Sequence, residues 1–269
     1  MSPGWEWLAC VGLQAGVRMS LGFKLQSWNA LAPGLEGPCA WRRWLEQPVP
    51  LEPGLHKISL KQIPPLLRRR FTEPGRCAAG AALPLLEQND AMPGVFASRH
   101  GDTPLTLSLL EGIAAEQPMS PTGFSLAVHN AVSGLLSIAR QDVSEVTAIA
   151  ATDNLIPLAL LESATQLQQR ERVLCLIYDV PLPELYRPYS QCESFPFALA
   201  MLLSRTEGTG MTLEQSEPEQ SVPASADASQ NQSELLQMMR LLCGLDDSAR
   251  FGSASGAGWR LRGGSAARG

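Results

Sequence analysis

The sequence predicts an α/β fold in which helices pack against one sheet, and two observations indicate it. Segments with helical patterns alternate with short apolar segments along most of the chain, and such alternation is typical of layered α/β domains. Residues 146–151 and 173–178 are apolar almost throughout, which is typical of strands covered on both faces.

The first hundred residues contain the clearest local patterns. Residues 23–28 alternate apolar and polar side chains and predict a strand. Residues 32–34, Ala-Pro-Gly, predict a turn. A helix is expected at 38–47, because its opening proline suits a first helical turn. Residues 63–88 are mostly helix formers, and Glu-Pro-Gly at 73–75 predicts a break within them.

The alternation continues to about residue 206. The predicted elements are a strand at 95–98, helices at 103–116 and 125–140, a strand at 146–151, a helix at 155–169 and strands at 173–178 and 195–204. Asp102 is available to cap the first of these helices.

The composition changes after this region. Residues 207–233 are rich in Glu, Gln, Ser, Gly and Pro, so we expect a flexible linker there. A helix capped by Ser233 follows, and Trp259 with Leu261 predicts one last short strand. The expected domains are an N-terminal extension at 1–20, with Met19 as an alternative start, a folded domain at 21–206, the linker at 207–233 and a short helix with a Gly/Ser-rich tail at 234–269.

Composition and charge exclude several classes of protein. The 269 residues have 45% hydrophobic and 17% charged side chains, unlike a mainly disordered chain. A net charge of −5 gives no general electrostatic attraction for nucleic acid. The sequence contains no run of about 20 apolar residues, so it predicts no membrane-spanning helix. The six cysteines form no CxxC pair and no zinc-ligand spacing, so we expect no metal, no cofactor and a reducing cytoplasm.

Few residues have the pattern of catalytic groups. GxGxxG, GxxxxGK[ST], HExxH and GxSxG motifs are all absent. Ser125 and His129 are four residues apart, so on one helix they share a face. They are either a nucleophile with its base or a capping serine with a structural histidine. His100, in Ser-Arg-His-Gly, fits a turn, and Asp179 lies at a strand end without an evident partner.

A series of short motifs resembles the β-ketoacyl synthases, the condensing enzymes of the thiolase-like fold. The first motif is Ala127-Val128-His129-Asn130, which is similar to a Ser-Val-His-Asn helix start in that family. The others, in chain order, are Trp28 with Pro33-Gly34, Phe96-Ala97-Ser98-Arg99-His100-Gly101, and the segments 142–151 and 195–204. Together they resemble the synthase-like N-terminal domains, or chain-length-factor-like subunits, of aryl polyene biosynthesis.

The resemblance implies half of a condensing enzyme, with three αβα layers around a mostly parallel mixed sheet. Spacing within the family places Phe124 where the nucleophilic cysteine of a strand-to-helix turn is expected. The family's second half supplies two histidines, yet no histidine follows Ser204 here. Without a thiolate no acyl-enzyme can form at that position. The resemblance therefore implies a noncatalytic chain-length factor, with Phe124, Ser125, His129 and Asn130 as acyl-tunnel or interface residues.

The expected partners are a catalytic β-ketoacyl synthase, in a heterodimer, and an acyl carrier protein. Arg68, Arg69 and Arg70 are the one basic run and are either a docking patch for the acidic carrier or a solvated helix face. An alternative is a stand-alone acyltransferase or thioester hydrolase that uses Ser125 with His129 or His100. A third possibility is a decayed protein with a scaffolding role.

Overall fold

The computed structural model describes residues 19–52, 54–55, 58–86, 91–190, 192–216, 233–252 and 258–264. The strands are β1 (Ser20–Ala32), β2 (Leu35–Glu36), β3 (Gly94–Ala97), β4 (Val146–Ile149), β5 (Arg172–Asp179), β6 (Phe197–Ser204), β7 (Thr209–Ser216), β8 (Ser248–Phe251) and β9 (Gly258–Gly263). The helices are α1 (Gly37–Glu46), α2 (Pro65–Arg68), α3 (Glu73–Leu86), α4 (Thr103–Ala114), α5 (Pro121–Leu126), α6 (Ala131–Arg140), α7 (Leu155–Gln166) and α8 (Glu234–Leu242), with a 3₁₀ turn at Arg187–Tyr189.

One mixed sheet organises the described residues. Its strand order is β4-β3-β5-β6-β1-β7-β9-β8, and β2 pairs with β1 as a short hairpin. β3 pairs in parallel with both β4 and β5, whereas every other described pair is antiparallel. The mixed α/β fold is as predicted, but the expected majority of parallel pairs is wrong. The reason is that β1, β6, β7, β8 and β9 run antiparallel to the strands with which they pair.

Two helical layers bury the two faces of this sheet. Side chains alternate along β6, because Leu199 and Met201 belong to one core cluster and Ala200 and Leu202 to the other. β5 is divided in the same way, and this period of two is the geometry of an extended strand. Helices α1, α7 and α8 cover the first face, and α3 and α6 cover the second.

Most predicted elements are present, and the two predicted caps, Asp102 and Ser233, are confirmed. The Asp102 carboxylate accepts a hydrogen bond from the Leu105 N–H, and the Ser233 hydroxyl accepts one from the Leu236 N–H. The expected break at 73–75 is wrong, since α3 begins there and Pro74 lies in its first turn, where a proline is tolerated. The interruption precedes it, between α2 and α3.

Two other predicted segments differ from the structure. The expected helix at 125–140 is two helices, because Ser120 caps α5 and residues 127–130 turn before α6 begins. The expected linker at 207–233 is wrong for its first third, which forms β7. Met211 and Leu213 alternate with more exposed residues and pack into the core, so this segment has strand periodicity despite its polar composition. Residues 217–232 and 1–18 lie outside the described residues.

The strand predicted at 146–151 is β4, and its environment differs from the prediction. β4 is at one end of the strand order and, among the described strands, pairs only with β3. Val146 is 40% exposed and Ala148 is exposed as well. The prediction that this apolar strand is covered on both faces is therefore wrong for the single chain.

Candidate functional site

A polar turn at the carboxyl end of β3 is fixed by the buried carboxylate of Asp179, at the end of β5. Asp179 Oδ1 accepts hydrogen bonds from Ser98 Oγ at 2.8 Å, the Arg99 N–H at 2.9 Å and the His100 N–H at 3.4 Å. Ser98 Oγ in turn accepts from the Gly101 N–H at 2.8 Å. Because β3 and β5 are adjacent and parallel, their carboxyl ends meet at one edge of the sheet, where ligands of α/β folds commonly bind.

Burial dominates the electrostatics of this carboxylate. Desolvation raises the pKa of Asp179 to about 6, although the hydroxyl of Ser98, the backbone of His100 and the charge of Arg99 all oppose the rise. Burial also raises the pKa of the neighbouring Tyr178, whose phenol therefore stays neutral. The turn is thus held by an acid whose charge changes near neutral pH.

Two histidines identified in the sequence are brought to this turn. His129 Nε2 lies 2.9 Å from the carbonyl oxygen of Ser98, and since a carbonyl only accepts, this nitrogen carries the proton and donates. His100 Nε2 lies 3.0 Å from Ser190 Oγ. Burial first, and the Arg99 guanidinium second, lower the pKa of His100 and favour its neutral form.

Arg99 also connects this turn to α7 and α8, which cover one face of the sheet. Glu234, the first residue of α8, accepts hydrogen bonds from the Asn154 N–H at 2.7 Å and the Ile156 N–H at 3.2 Å. Its carboxylate thus binds the free N–H groups at the N-terminus of α7. Arg99 Nη2 lies 3.9 Å from Glu234 Oε1. Burial raises the pKa of Glu193, and the hydrogen bond with Ser233 and then the charge of Arg99 oppose that rise.

The other candidates from the family motif lie outside this network. Phe124 is in the middle of α5 and is 59% exposed, so the expectation that it lies at a strand-to-helix turn is wrong: α4 separates α5 from β3. Ser125 Oγ donates to the Pro121 carbonyl at 2.8 Å. The carbonyl of Asn130, at the start of α6, accepts from Ser133 Oγ. The structure therefore gives Ser125 and both histidines separate hydrogen-bond partners.

Among the described cysteines, three are kept as neutral thiols by their surroundings. Burial raises the pKa of Cys77 well above its usual range, that of Cys175 to about 12 and that of Cys243 to about 11. Cys39 is exposed and Cys192 is half-buried. A reactive cysteine instead needs an electropositive site that lowers its pKa.

Many large apolar side chains are exposed in the consecutive elements α4, α5, α6 and β4 and in the segments that join them. We call this set the apolar surface, and it consists of Leu110, Ile113, Met119, Phe124, Val128, Ile138, Val143 and Val146. Neither α4 nor α5 contains a buried side chain. We therefore regard this stretch of chain as a candidate interaction site.

The basic run lies away from these elements in sequence. Arg69 and Arg70 are exposed, while Arg68 is half-buried with its Nη1 3.4 Å from the Leu60 carbonyl oxygen. In the described part of the chain no three His, Cys, Asp or Glu residues are grouped as a metal site would need. Over the same ranges, no helix has the length and apolar character needed to cross a membrane.

Structural comparison relates this architecture to known assemblies. A chain of the ketosynthase ApeO complex with its chain length factor ApeC from Xenorhabdus doucetiae is 23% identical, with a TM-score of 0.73 over 90% of this chain and 99% of that one. A chain of the ishigamide ketosynthase/chain length factor has 13% identity and a TM-score of 0.67 over the same shares. A chain of the AntDE:AntF assembly, a type II carrier protein with its ketosynthase, has 16% identity and a TM-score of 0.52 over 70% of this chain and 64% of that one. These likenesses show the fold.

The turn network itself was not predicted, although the sequence contained a signal for it. Asp179 ends one apolar strand and Ser98 ends another, and the carboxyl ends of neighbouring parallel strands lie together. The contribution of Glu234 had no such signal, because 80 residues separate it from Asn154.

Sequence comparison settles the family. No curated protein matches the chain. The family described as "Beta-ketoacyl synthase, N-terminal domain" matches residues 41–259, which extends the predicted resemblance through β7, α8 and β8. This match spans most of the chain, which therefore belongs to the β-ketoacyl synthase N-terminal domain family.

Proposed function

We propose that the chain is a noncatalytic, chain-length-factor-like subunit that forms a heterodimer with an active β-ketoacyl synthase. The observation that carries the proposal is the apolar surface, together with the open edge of β4. Structural relatives of the chain include complexes of a ketosynthase with its chain length factor. The proposal includes an aryl polyene or related fatty-acid-type product, a carrier protein as second partner and a cytoplasmic location.

The edge of β4 supports a protein partner. Its four residues, Val-Thr-Ala-Ile, contain no charge and no proline, which are the devices that usually protect an edge strand from pairing. One row of backbone N–H and C=O groups of β4 faces away from β3. A partner strand that pairs there would cover Val146 and satisfy those groups.

The helices that precede this edge in the chain support the same partner. α4 packs against α5 and α5 packs against α6, and neither α4 nor α5 buries a side chain in that packing. Ile138 of α6 is 63% exposed. Covering several such side chains is the main favourable term in protein association.

The noncatalytic part of the proposal rests on the groups around the motif. Phe124 has no nucleophilic atom, and Ser125 donates its hydroxyl proton to a backbone carbonyl of its own helix. His129 is engaged with the Ser98 carbonyl. A serine nucleophile needs a base within hydrogen-bond reach, and neither histidine nitrogen described above bonds to Ser125.

Co-expression with a β-ketoacyl synthase from the same organism tests the heterodimer. We expect a one-to-one complex by native mass spectrometry, lost in Ile138→Asp and kept in Val49→Asp. Val49 is a matched control because it is 60% exposed and follows α1, which covers the other face of the sheet. Products of the reconstituted system should change in length when the subunit is omitted. A chain that stays monomeric and leaves product length unchanged would contradict the proposal.

Incubation with acyl thioesters tests the alternative enzyme. We expect no acyl adduct in the intact mass of the isolated chain and no thioester hydrolysis. An adduct on the wild-type chain that disappears in Ser125→Ala would instead establish the acyltransferase or hydrolase.

The carrier-protein part of the proposal assigns docking to the basic run. Arg69 and Arg70 are exposed guanidinium groups on neighbouring residues, and such groups attract an acidic partner mainly by accelerating the encounter.

A further inference from the structure

We propose that Asp179 is a positioning residue for the apolar surface. Its buried carboxylate fixes the Ser98–Gly101 turn, and the turn fixes both the start of α4 and the junction of α5 with α6. The inference rests on the proposed function, because the apolar surface is the face assigned to the synthase partner.

The first step is the hold of Asp179 on the turn. Its two oxygens accept from Ser98 Oγ and from the backbone N–H groups of Arg99 and His100, with the second Arg99 contact at 3.2 Å. All these partners are donors, so the site matches an acceptor with two oxygens. An asparagine would turn an NH₂ group toward a backbone N–H, and the two donors would repel.

The second step joins the turn to His129. The Ser98 carbonyl accepts the Nε2 proton of His129 at 2.9 Å. Gly101 lies against the same ring: it has φ +60°, and a Cβ added there would lie 3.4 Å from His129 Cδ2. The turn therefore provides both a hydrogen-bond acceptor and a closely fitting backbone for the imidazole.

The third step joins the turn and His129 to the apolar surface. α4 begins directly after the turn, where Asp102 caps it and Thr103 Oγ1 donates to the His100 carbonyl at 2.8 Å. His129 lies between α5 and α6, next to Val128 of the apolar surface. Since α4 and α5 bury no side chain, these polar anchors at their ends account for much of what orients them.

The test compares Asp179→Asn with wild type for affinity and for the state of His129. We expect the heterodimer to dissociate about tenfold more readily, within the range seen for positions that contact neither partner. We also expect the ¹⁵N and ¹H signals of the His129 side chain to shift in the isolated chain. Asp246→Asn is the control. The Asp246 carboxylate pairs with Arg240, and both residues are far in sequence from the Ser98–Gly101 turn. The control should leave both measurements unchanged.

Further variants keep the outcomes distinguishable. Ser98→Ala removes one donor to Asp179 and the acceptor for the Gly101 N–H, so it carries the test if Asp179→Asn does not fold. Ile138→Asp should abolish the heterodimer while leaving the His129 signals unchanged. If the wild-type chain binds no synthase, the proposed function fails, and the His129 signals still test the first two steps. Wild-type affinity and unchanged His129 signals in both turn variants would overturn the inference.

Discussion

The titration of Asp179 predicts a specific dependence of stability on pH. The pKa of this carboxyl is about 6 in the folded chain and 3.8 as its ordinary value. The pKa is raised because the cost of burying the charge exceeds what the hydrogen-bond donors of the turn return, so protonation of Asp179 favours the folded state. The stabilisation is therefore complete below pH 3.8 and is lost as the pH rises through 6.

The size of the effect follows from the same two values. A difference of roughly two pKa units corresponds to about 3 kcal/mol in the free energy of unfolding, and a little under half of it falls between about pH 5 and pH 7.5. Asp179→Asn cannot titrate at this position. The difference in the free energy of unfolding between wild type and variant should therefore change by a little under half of about 3 kcal/mol between about pH 5 and pH 7.5. Groups common to both chains and outside the turn, such as Asp142, cancel in this difference.

Denaturant unfolding followed by tryptophan fluorescence at several pH values measures this difference. The ¹³C chemical shift of the Asp179 carboxyl gives an independent midpoint, expected near pH 6. In Ser98→Ala the midpoint should move higher, because the hydrogen bond from Ser98 is the largest influence that lowers this pKa. A stability difference that is constant between pH 5 and pH 7.5, together with a carboxyl midpoint near 4, would refute the reasoning.

Two further predictions concern the carboxylate of Glu234 at the N-terminus of α7 and the basic run. Glu234→Ala leaves the N-terminus of α7 without its acceptor and should lower the free energy of unfolding by about 1–2 kcal/mol, measured by denaturant unfolding. Glu46→Ala should have no measurable effect, since Glu46 forms an exposed pair with Arg42 within one helix. The double variant Arg69→Glu, Arg70→Glu should slow association with an acidic carrier protein at low salt, measured by stopped-flow fluorescence. Carrier binding at an unchanged rate would remove these arginines from the proposed docking site.

The extent to which the sequence predicts the fold depends on how local the determinant is. The caps at Asp102 and Ser233 were predicted because each is a short-range pattern of a polar residue before an apolar helix. β7 was not, because its polar composition suggested a linker although Met211 and Leu213 point into the core. Composition averages over both faces of a strand, whereas periodicity separates them.

The candidate site was harder to predict because its contacts span long sequence distances. The sequence singles out His100, His129 and Asp179, but it offers the two histidines as bases for Ser125 and gives Asp179 no partner. Asp179 and Ser98 are 81 residues apart, and only the adjacency of β3 and β5 brings them together. Phe124 shows a different kind of error. The family spacing predicts it at a strand-to-helix turn, but the complete helix α4 lies between β3 and α5, the helix that contains Phe124.

The exposure of β4, where the sequence predicts a strand covered on both faces, supports a protein partner. Its apolar sequence predicts a strand covered on both faces, and β5 and β6 have the same character and are so covered. The single chain instead leaves Val146 and Ala148 of β4 exposed. The α4–α5 hairpin is apolar too and buries none of its side chains. An apolar strand and hairpin that a single chain leaves uncovered are expected to be covered in an assembly, because exposed apolar area is costly in water. We therefore expect hydrogen exchange at β4 to slow markedly when the synthase partner binds, while exchange at β6 stays as it is in the free chain.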